Sequence, residues 1–377
     1  MNILADSNIP FVEEAFGRFG IVTLASGRTI TNSMLAQTDI LLVRSVTNVN
    51  ENLLSGTPVR FIGTATIGTD HIDREYLSNN NIGFASAPGS NARSVTQYIA
   101  AALLQCCGNG SMSLAGKTLG IIGAGHVGKL VRTTAHALGM RCLLNDPPLE
   151  KFSDDTLYVP LERLLCESDA VTMHVPLTRT GPYATYAMAD AAFFLHMKQG
   201  AFFINTSRGS VVNETALHNS RKRLGKIVLD VWNNEPDISN ATLSCTDIAT
   251  PHIAGYSYDG KVSGTQMIYN AACAFFNTAP AWNADSHNSD IGIRHIDVRN
   301  AADPVMQAVT SAYSINNDDA QLRHITTQAN RGAYFEHLRA SYPQRLEFSH
   351  FFLQCLPKQN NAARTLRGLG FNVDIAE

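Results

Sequence analysis

The stretch Leu119-Gly120-Ile121-Ile122-Gly123-Ala124-Gly125-His126-Val127-Gly128 decides how this chain folds. Leu119–Ile122 reads as a buried strand, and Val127–Leu138 carries the spacing of an amphipathic helix. Gly123, Gly125 and Gly128 form a G-x-G-x-x-G turn between them. Alone that pattern is weak, but a strand before it and a helix after it supply the context it needs. The glycines permit a tight turn and let the backbone approach a pyrophosphate, and the helix N-terminus favours the negative charge. Asp146 closes the next strand, Arg141–Asn145, eighteen residues beyond Gly128. A carboxylate near that distance hydrogen-bonds the adenosine ribose of a dinucleotide. Pro147-Pro148 follow, with no Arg or Lys to receive a 2′-phosphate, so NAD is favoured over NADP. Capping a turn is the alternative role for Asp146.

The alternation extends in both directions. Downstream, Ala170–His174, Ala201–Asn205, Ile227–Val231 and Asp247–Ala249 are strand candidates, separated by helical segments containing Leu161–Leu165, Ala189–Phe194 and Glu214–Lys222. Upstream, Asn2–Ala5, Ile40–Arg44 and Phe61–Thr64 read as strands, and Val12–Phe19 and Asn50–Leu54 as helical. Such alternation predicts βαβ units around parallel sheets. A helix from Ser94 to Cys106 breaks at Gly108-Asn109-Gly110. Past Pro280 the texture changes, with His, Asn and Asp scattered through Trp282–Asn300. Helices over Pro304–Tyr313 and Tyr334–Ala340, a strand-like run Phe348–Cys355 and a helix leading into Phe371–Ile375 follow.

Composition bounds the function. The 377 residues are 45% hydrophobic and 16% charged, with net charge −3 and pI about 6.5. This suits two or three globular domains and offers no basic run for nucleic acid or an anionic membrane. No apolar run approaches the ~20 residues of a membrane span, and the start Met1-Asn2-Ile3-Leu4-Ala5-Asp6 has no charged leader with an apolar stretch behind it. Seven scattered cysteines without a C-x-x-C pair fit reduced thiols in a cytoplasm, not disulfides or a metal site.

Chemistry gathers at three successive strand ends. Arg208 follows the strand at Asn205, Glu235 follows Leu229-Asp230-Val231, and His252 follows Ala249-Thr250-Pro251. Ligands in such sheets sit outside the carboxyl ends of the strands. Arg can hold a carboxylate through two parallel hydrogen bonds, and His is suited to exchanging a hydroxyl proton near neutral pH. A carboxylate against the imidazole would favour its charged form and fix its tautomer. Singly, each residue also fits a surface charge, a solvated loop or a cap.

The segments Gly200-Ala201-Phe202-Phe203-Ile204-Asn205-Thr206-Ser207-Arg208-Gly209, Leu229-Asp230-Val231-Trp232-Asn233-Asn234-Glu235-Pro236 and Thr250-Pro251-His252-Ile253-Ala254-Gly255 resemble the D-2-hydroxyacid dehydrogenase family, in its order and spacing. Leu42-Val43-Arg44-Ser45-Val46-Thr47 and Phe61 to Asp73 extend the resemblance over essentially the whole chain. It implies NAD-dependent oxidation of a small phosphorylated 2-hydroxy acid, with Arg208, Glu235 and His252 catalytic and no metal. It places Gly123, Gly125, His126, Val127, Gly128, Asp146, Val175, Thr206, Ser207, Asp230 and Gly255 at the cofactor, Val175 through backbone only, since relatives often carry Thr there. Ser45, Thr66 and Tyr256 would touch the substrate. Arg44 joins them as a candidate for the phosphate end, and a structural ion pair fits it equally well.

The fold implied is α/β, with two Rossmann-like doubly wound domains, a cleft between them and a small C-terminal α+β dimerisation domain. The expected boundaries are 1–92, completed by 256–280, for the substrate-binding lid; 93–255 for the NAD-binding domain; and 281–377 for the module that pairs a homodimer. Val305, Met306, Val309 and Tyr313 make one apolar stripe in that tail, and Phe348, Phe351, Phe352, Leu353 and Leu356 add apolar surface. A 3-phosphoglycerate or other D-2-hydroxyacid dehydrogenase, and an NAD(H)-sensing corepressor-like binding protein, are the competing readings.

Overall fold

The computed structural model describes residues 1–108, 113–284 and 291–375. They group into two units, Met1–Asn91 with Ser257–Gly292, and Ala92–Tyr256 with Ile293–Glu377.

In the first unit, β1 (Asn2–Asp6), β2 (Ile21–Ala25), β3 (Ile40–Val43), β4 (Phe61–Thr64) and β5 (Gly83–Ala85) form a parallel sheet in the order β2-β1-β3-β4-β5. Successive residues of a strand face opposite sides, and here both sides are covered. Ile3, Ala5, Ile40 and Leu42 join Phe16, Ile268 and Tyr269 in one buried cluster. Leu4, Leu41, Val43 and Ile62 join Leu35, Leu53 and Leu77 in the other. The helix Tyr258–Phe275 supplies Ile268 and Tyr269, so the chain returns to this unit after Tyr256. The strand order reverses between β1 and β3, where a doubly wound sheet offers its crevice.

In the second unit, β6 (Thr118–Ile122), β7 (Arg141–Asn145), β8 (Ala170–Met173), β9 (Phe202–Asn205), β10 (Ile227–Leu229) and β11 (Ile248–Ala249) form a parallel sheet in the order β11-β10-β9-β8-β6-β7. Tyr158 adds a single parallel bridge to Leu144 outside β7, completing a dinucleotide-binding strand order with its third strand reduced to one bridge. The reversal falls between β6 and β8, which puts Gly123 and His174 at the switch point.

A third parallel sheet, β12 (Arg294–Asp297), β13 (Phe351–Cys355) and β14 (Asn372–Ile375) in that order, lies in the tail. Helix Pro304–Ala312 packs on helix Ala92–Cys107, and Asn360–Leu369 packs on His126–Ala137. Leu322, Ile325 and Phe335 enter the core of the six-stranded sheet. The apolar stripe expected to meet a second copy is largely covered by its own chain. Val309, Tyr313, Phe348, Phe351 and Leu353 are buried, and Val305, Met306, Phe352 and Leu356 are half-buried.

β4 and β7 have the limits read from sequence. Others are trimmed: Ile227–Val231 stops at Leu229, because Asp230 turns inward to hold a loop, and the helix Val12–Phe19 stops at Phe16. β2, β5, β12 and the helices Arg74–Asn79 and Ile315–Arg323 escape the sequence reading. β2 and β12 are mostly exposed edge strands without a clean alternation, and Ile315–Arg323 is predominantly polar. Of the expected helix break, Gly108 takes φ 65°; Asn109 and Gly110, like residues 285–290 within Trp282–Asn300, lie outside the described residues. Among the described residues no helix is long and apolar enough to cross a membrane.

Candidate active site

The fingerprint turn divides its glycines by function. Gly123 has φ 90°, and a Cβ there would lie 2.5 Å from the His174 carbonyl oxygen. A Cβ on Gly128 would lie 2.1 Å from the Gly123 carbonyl, so this glycine lets the helix His126–Ala137 close onto the turn. A Cβ on Gly125 would meet nothing within 4 Å. Two of the three glycines are therefore demanded by the protein's own packing, and the middle one opens onto space at a helix N-terminus. A cofactor pyrophosphate fits there. Val175 contributes its Cγ1 beside Gly123, 3.1 Å from that added Cβ.

Asp146 takes the capping role open to it in the sequence and adds a tie to the fingerprint turn. Its Oδ2 accepts from the Ala124 amide at 2.8 Å, tying the end of β7 to the fingerprint turn, and its Oδ1 caps the helix Pro147–Glu150 through Leu149 N at 3.2 Å. At the ends of β8 and β9, His174 Nε2 pairs with Thr172 Oγ1 at 3.0 Å and its Nδ1 with Thr206 Oγ1 at 3.3 Å. Desolvation pushes His174 down to about 3, so this imidazole is neutral and acts as a polar strut. The sequence reading passed over it. Ser207 is buried, with its amide and hydroxyl both donating to Asn205 Oδ1.

The acid–base residues meet where β9, β10 and β11 end. Glu235 Oε2 lies 2.8 Å from His252 Nδ1, and its Oε1 accepts the Trp232 amide at 2.9 Å. Burial pushes the Glu235 carboxyl up, but the charge and hydrogen bond of His252, the Arg339 guanidinium and the Trp232 amide outweigh it and hold the group below the ordinary carboxylate range. Asn234 takes φ 58°, a left-handed conformation that Gly adopts freely and Asn tolerates. His252 itself has φ 56°, a strained backbone for a residue with a Cβ.

Asp230 holds that strained loop. Its Oδ1 accepts from Ile253 N at 2.8 Å and Thr250 Oγ1 at 2.7 Å, and its Oδ2 from Ala254 N at 2.9 Å, while its carbonyl accepts from His252 N at 2.7 Å. Burial pushes its carboxyl up against the pull of His252 and these donors. Arg208 lies on the loop after β9, its Nη1 donating to the Ser207 carbonyl at 2.7 Å. A Cβ on the adjoining Gly209 would lie 2.0 Å from the Trp232 carbonyl carbon, so the Arg208 loop abuts the Glu235 loop. Gly255 and Tyr256 leave the His252 loop half-buried, Tyr256 N donating to Ile253 O at 2.8 Å. Of the expected residues in this unit, the structure gathers all at the carboxyl ends of one sheet.

Arg44, Ser45 and Thr66 belong to the other unit. Arg44 and Ser45 follow β3, and Thr66 follows the adjacent β4, its Oγ1 2.8 Å from Thr64 Oγ1. Asp6, at the end of β1 beside the strand reversal, is buried, with Asn8 N donating to its Oδ1 at 2.9 Å. Among the described residues no cluster of His, Cys, Asp or Glu could hold a metal.

Fold and site together define an NAD-dependent dehydrogenase of the 2-hydroxyacid class. Residues 101–254 match the D-isomer specific 2-hydroxyacid dehydrogenase, NAD binding domain, and residues 292–370 match a Domain of unknown function (DUF3410). Among solved structures, a D-lactate dehydrogenase from Aquifex aeolicus complexed with NAD and lactic acid aligns with TM-score 0.59 at 25% identity, over 74% of this chain and 96% of that one. A cofactor-bound 3-phosphoglycerate dehydrogenase from Entamoeba histolytica aligns with TM-score 0.63 at 24% identity, over 74% and 95%, a likeness of fold. The erythronate-4-phosphate dehydrogenase of Salinibacter ruber is 44% identical over 99% of both chains, and that of Salmonella typhi 40% identical over 99% of this chain and 98% of its own. The chain belongs to the erythronate-4-phosphate dehydrogenase family.

Proposed function

We propose that this chain oxidises 4-phospho-D-erythronate to 2-oxo-3-hydroxy-4-phosphobutanoate with NAD, a step of pyridoxal 5′-phosphate (vitamin B6) biosynthesis. The half-exposed imidazole held 2.8 Å from a carboxylate at the carboxyl ends of the sheet that carries the fingerprint turn supports the chemistry, and the relatives' name supports the substrate. Bound NAD would supply the acceptor for the hydride leaving C2 of the hydroxy acid. His252 takes the hydroxyl proton, and Glu235 fixes its tautomer and stabilises the imidazolium. Arg208 holds the substrate carboxylate.

Gly123, Gly125, His126, Val127 and Gly128 cradle the cofactor's pyrophosphate, and Asp146 takes the adenosine ribose, repelling the 2′-phosphate of NADP. Val175, Thr206, Ser207 and Gly255 line the nicotinamide side, and Asp230 serves it by holding the His252 loop. Ser45, Thr66 and Tyr256, with Arg44, bind the phosphorylated end. The enzyme works as a cytoplasmic homodimer. Exposed Ile293 beside β12 and half-buried Phe352, its ring 5.3 Å from that of His295, support a further interface on the tail, and closed dimers are the commonest assembly. NADH formation measured in parallel with 4-phosphoerythronate and 3-phosphoglycerate tests the substrate. The four-carbon acid is expected to have the higher kcat/KM; a preference for 3-phosphoglycerate overturns the assignment.

A further inference from the structure

The tail segment 331–345 touches both loops that carry the acid–base pair. Arg331 Nη2 donates to the Ile238 carbonyl at 3.0 Å, and a Cβ on Gly332 would lie 2.7 Å from Asp237 Oδ1 and 3.4 Å from Pro236 Cγ. The first turn of helix Arg331–Ala340 is thus seated on the residues just after Glu235. At the last turn, the Arg339 guanidinium lies over the Tyr256 ring, 5.8 Å from its centroid, and the Tyr342 ring meets Tyr256 edge-on at 5.9 Å. Arg345 Nη2 donates to the Ala254 carbonyl at 2.5 Å and also to Ser94 Oγ. One helix and its exit therefore grip the loop after β10 and the loop after β11.

Packing alone leaves Arg339 unexplained. Its side chain is 12% exposed, its Nε is buried without a hydrogen-bond partner among the described residues, its guanidinium also hydrogen-bonds the Tyr256 side chain, and Glu336 Oε1 lies 3.7 Å from its Nη1. A cation so placed costs stability unless its charge is used. The groups it faces are Tyr256, Glu235 and Glu336. Glu235 in turn faces His252 and Arg339, and Asp230 faces His252 from the strand end.

We propose that Arg339 is a positioning residue of the acid–base pair, holding Tyr256 in place and offsetting part of the negative charge that Glu235 presents to His252. This rests on the reading of Glu235 and His252 as the proton-transfer pair. It gives the tail, whose family model is a Domain of unknown function (DUF3410), a part in turnover. Too strong a carboxylate field would keep His252 protonated and unable to accept the hydroxyl proton. A fixed cation acting on Glu235 weakens that field.

The test compares Arg339→Gln, Arg339→Met and Arg339→Lys with the full-length enzyme, following the pH profile of kcat/KM for 4-phosphoerythronate, NAD affinity by fluorescence and thermal unfolding. Both neutral variants should lose roughly ten- to a hundredfold in kcat, with the acid limb moved up by about one pH unit and NAD affinity unchanged. Lys, which keeps the charge, should hold the limb in place. Met removes the buried donors along with the charge and carries the test if Gln fails to fold. An unmoved limb in a folded neutral variant overturns the proposal, whether KM rises or not. Loss of fold in both neutral variants, with Lys folded, makes the residue structural and overturns it too. His252→Ala run alongside separates the premises: retained turnover there defeats the proton-transfer reading itself, whatever Arg339 does.

Discussion

Glu235 shows how a single side chain sets the working range of another. Its carboxyl is held below the ordinary range, which favours the ionised form beside the imidazole. Glu235→Gln withdraws a negative charge 2.8 Å from the imidazole, which disfavours the imidazolium. The acid limb of kcat/KM is therefore expected to move to lower pH, with kcat reduced; an unmoved limb would separate Glu235 from His252 in function. Asp146 makes a second test at this scale. Asp146→Ser removes the charge that repels a 2′-phosphate, so activity with NADP should rise relative to NAD, and equal use of both cofactors by the wild type would contradict the assignment.

The elements explain which residues could be read in advance. The fingerprint turn was legible because its three glycines fall within six residues between a strand and a helix. The same geometry separates two substitutions. Gly128→Ala drives a Cβ into the Gly123 carbonyl and should destabilise the protein by about 1–3 kcal/mol. Gly125→Ala meets no protein atom within 4 Å, so the melting temperature should hold while NAD affinity falls by about tenfold or more. Calorimetry and cofactor titration on the pair distinguish the two; equal destabilisation would remove the pyrophosphate role of Gly125. Arg208, Glu235 and His252 were legible for a similar reason, each following its own strand by a few residues. Arg339 and Arg345 were not, because the Arg339–Tyr256 and Arg345–Ala254 contacts span more than eighty residues of sequence and no local pattern marks them. Asp230 was legible as a position but not as a part: nothing short of the structure shows its carboxylate holding a left-handed His252.

At the scale of the whole molecule, the tail is bound into the NAD-binding unit, since Leu322, Ile325 and Phe335 lie in its core. A chain ending at Asn277 should therefore lose stability and NAD binding along with any dimer, and a truncated protein that stays folded and binds NAD would contradict this. Sedimentation of the full chain should give a dimer; a monomer would remove the proposed assembly while leaving the chemistry intact. Proton transfer at His252 is the step on which oxidation of the phosphorylated hydroxy acid depends. The most direct test is the initial rate of NADH formation from 4-phosphoerythronate by the wild type and by His252→Ala at saturating NAD. The wild type should turn over, and the variant should be slower by roughly 10²–10⁴-fold with cofactor affinity unchanged. No NADH from the wild type, or a variant that keeps pace with it, would contradict the account.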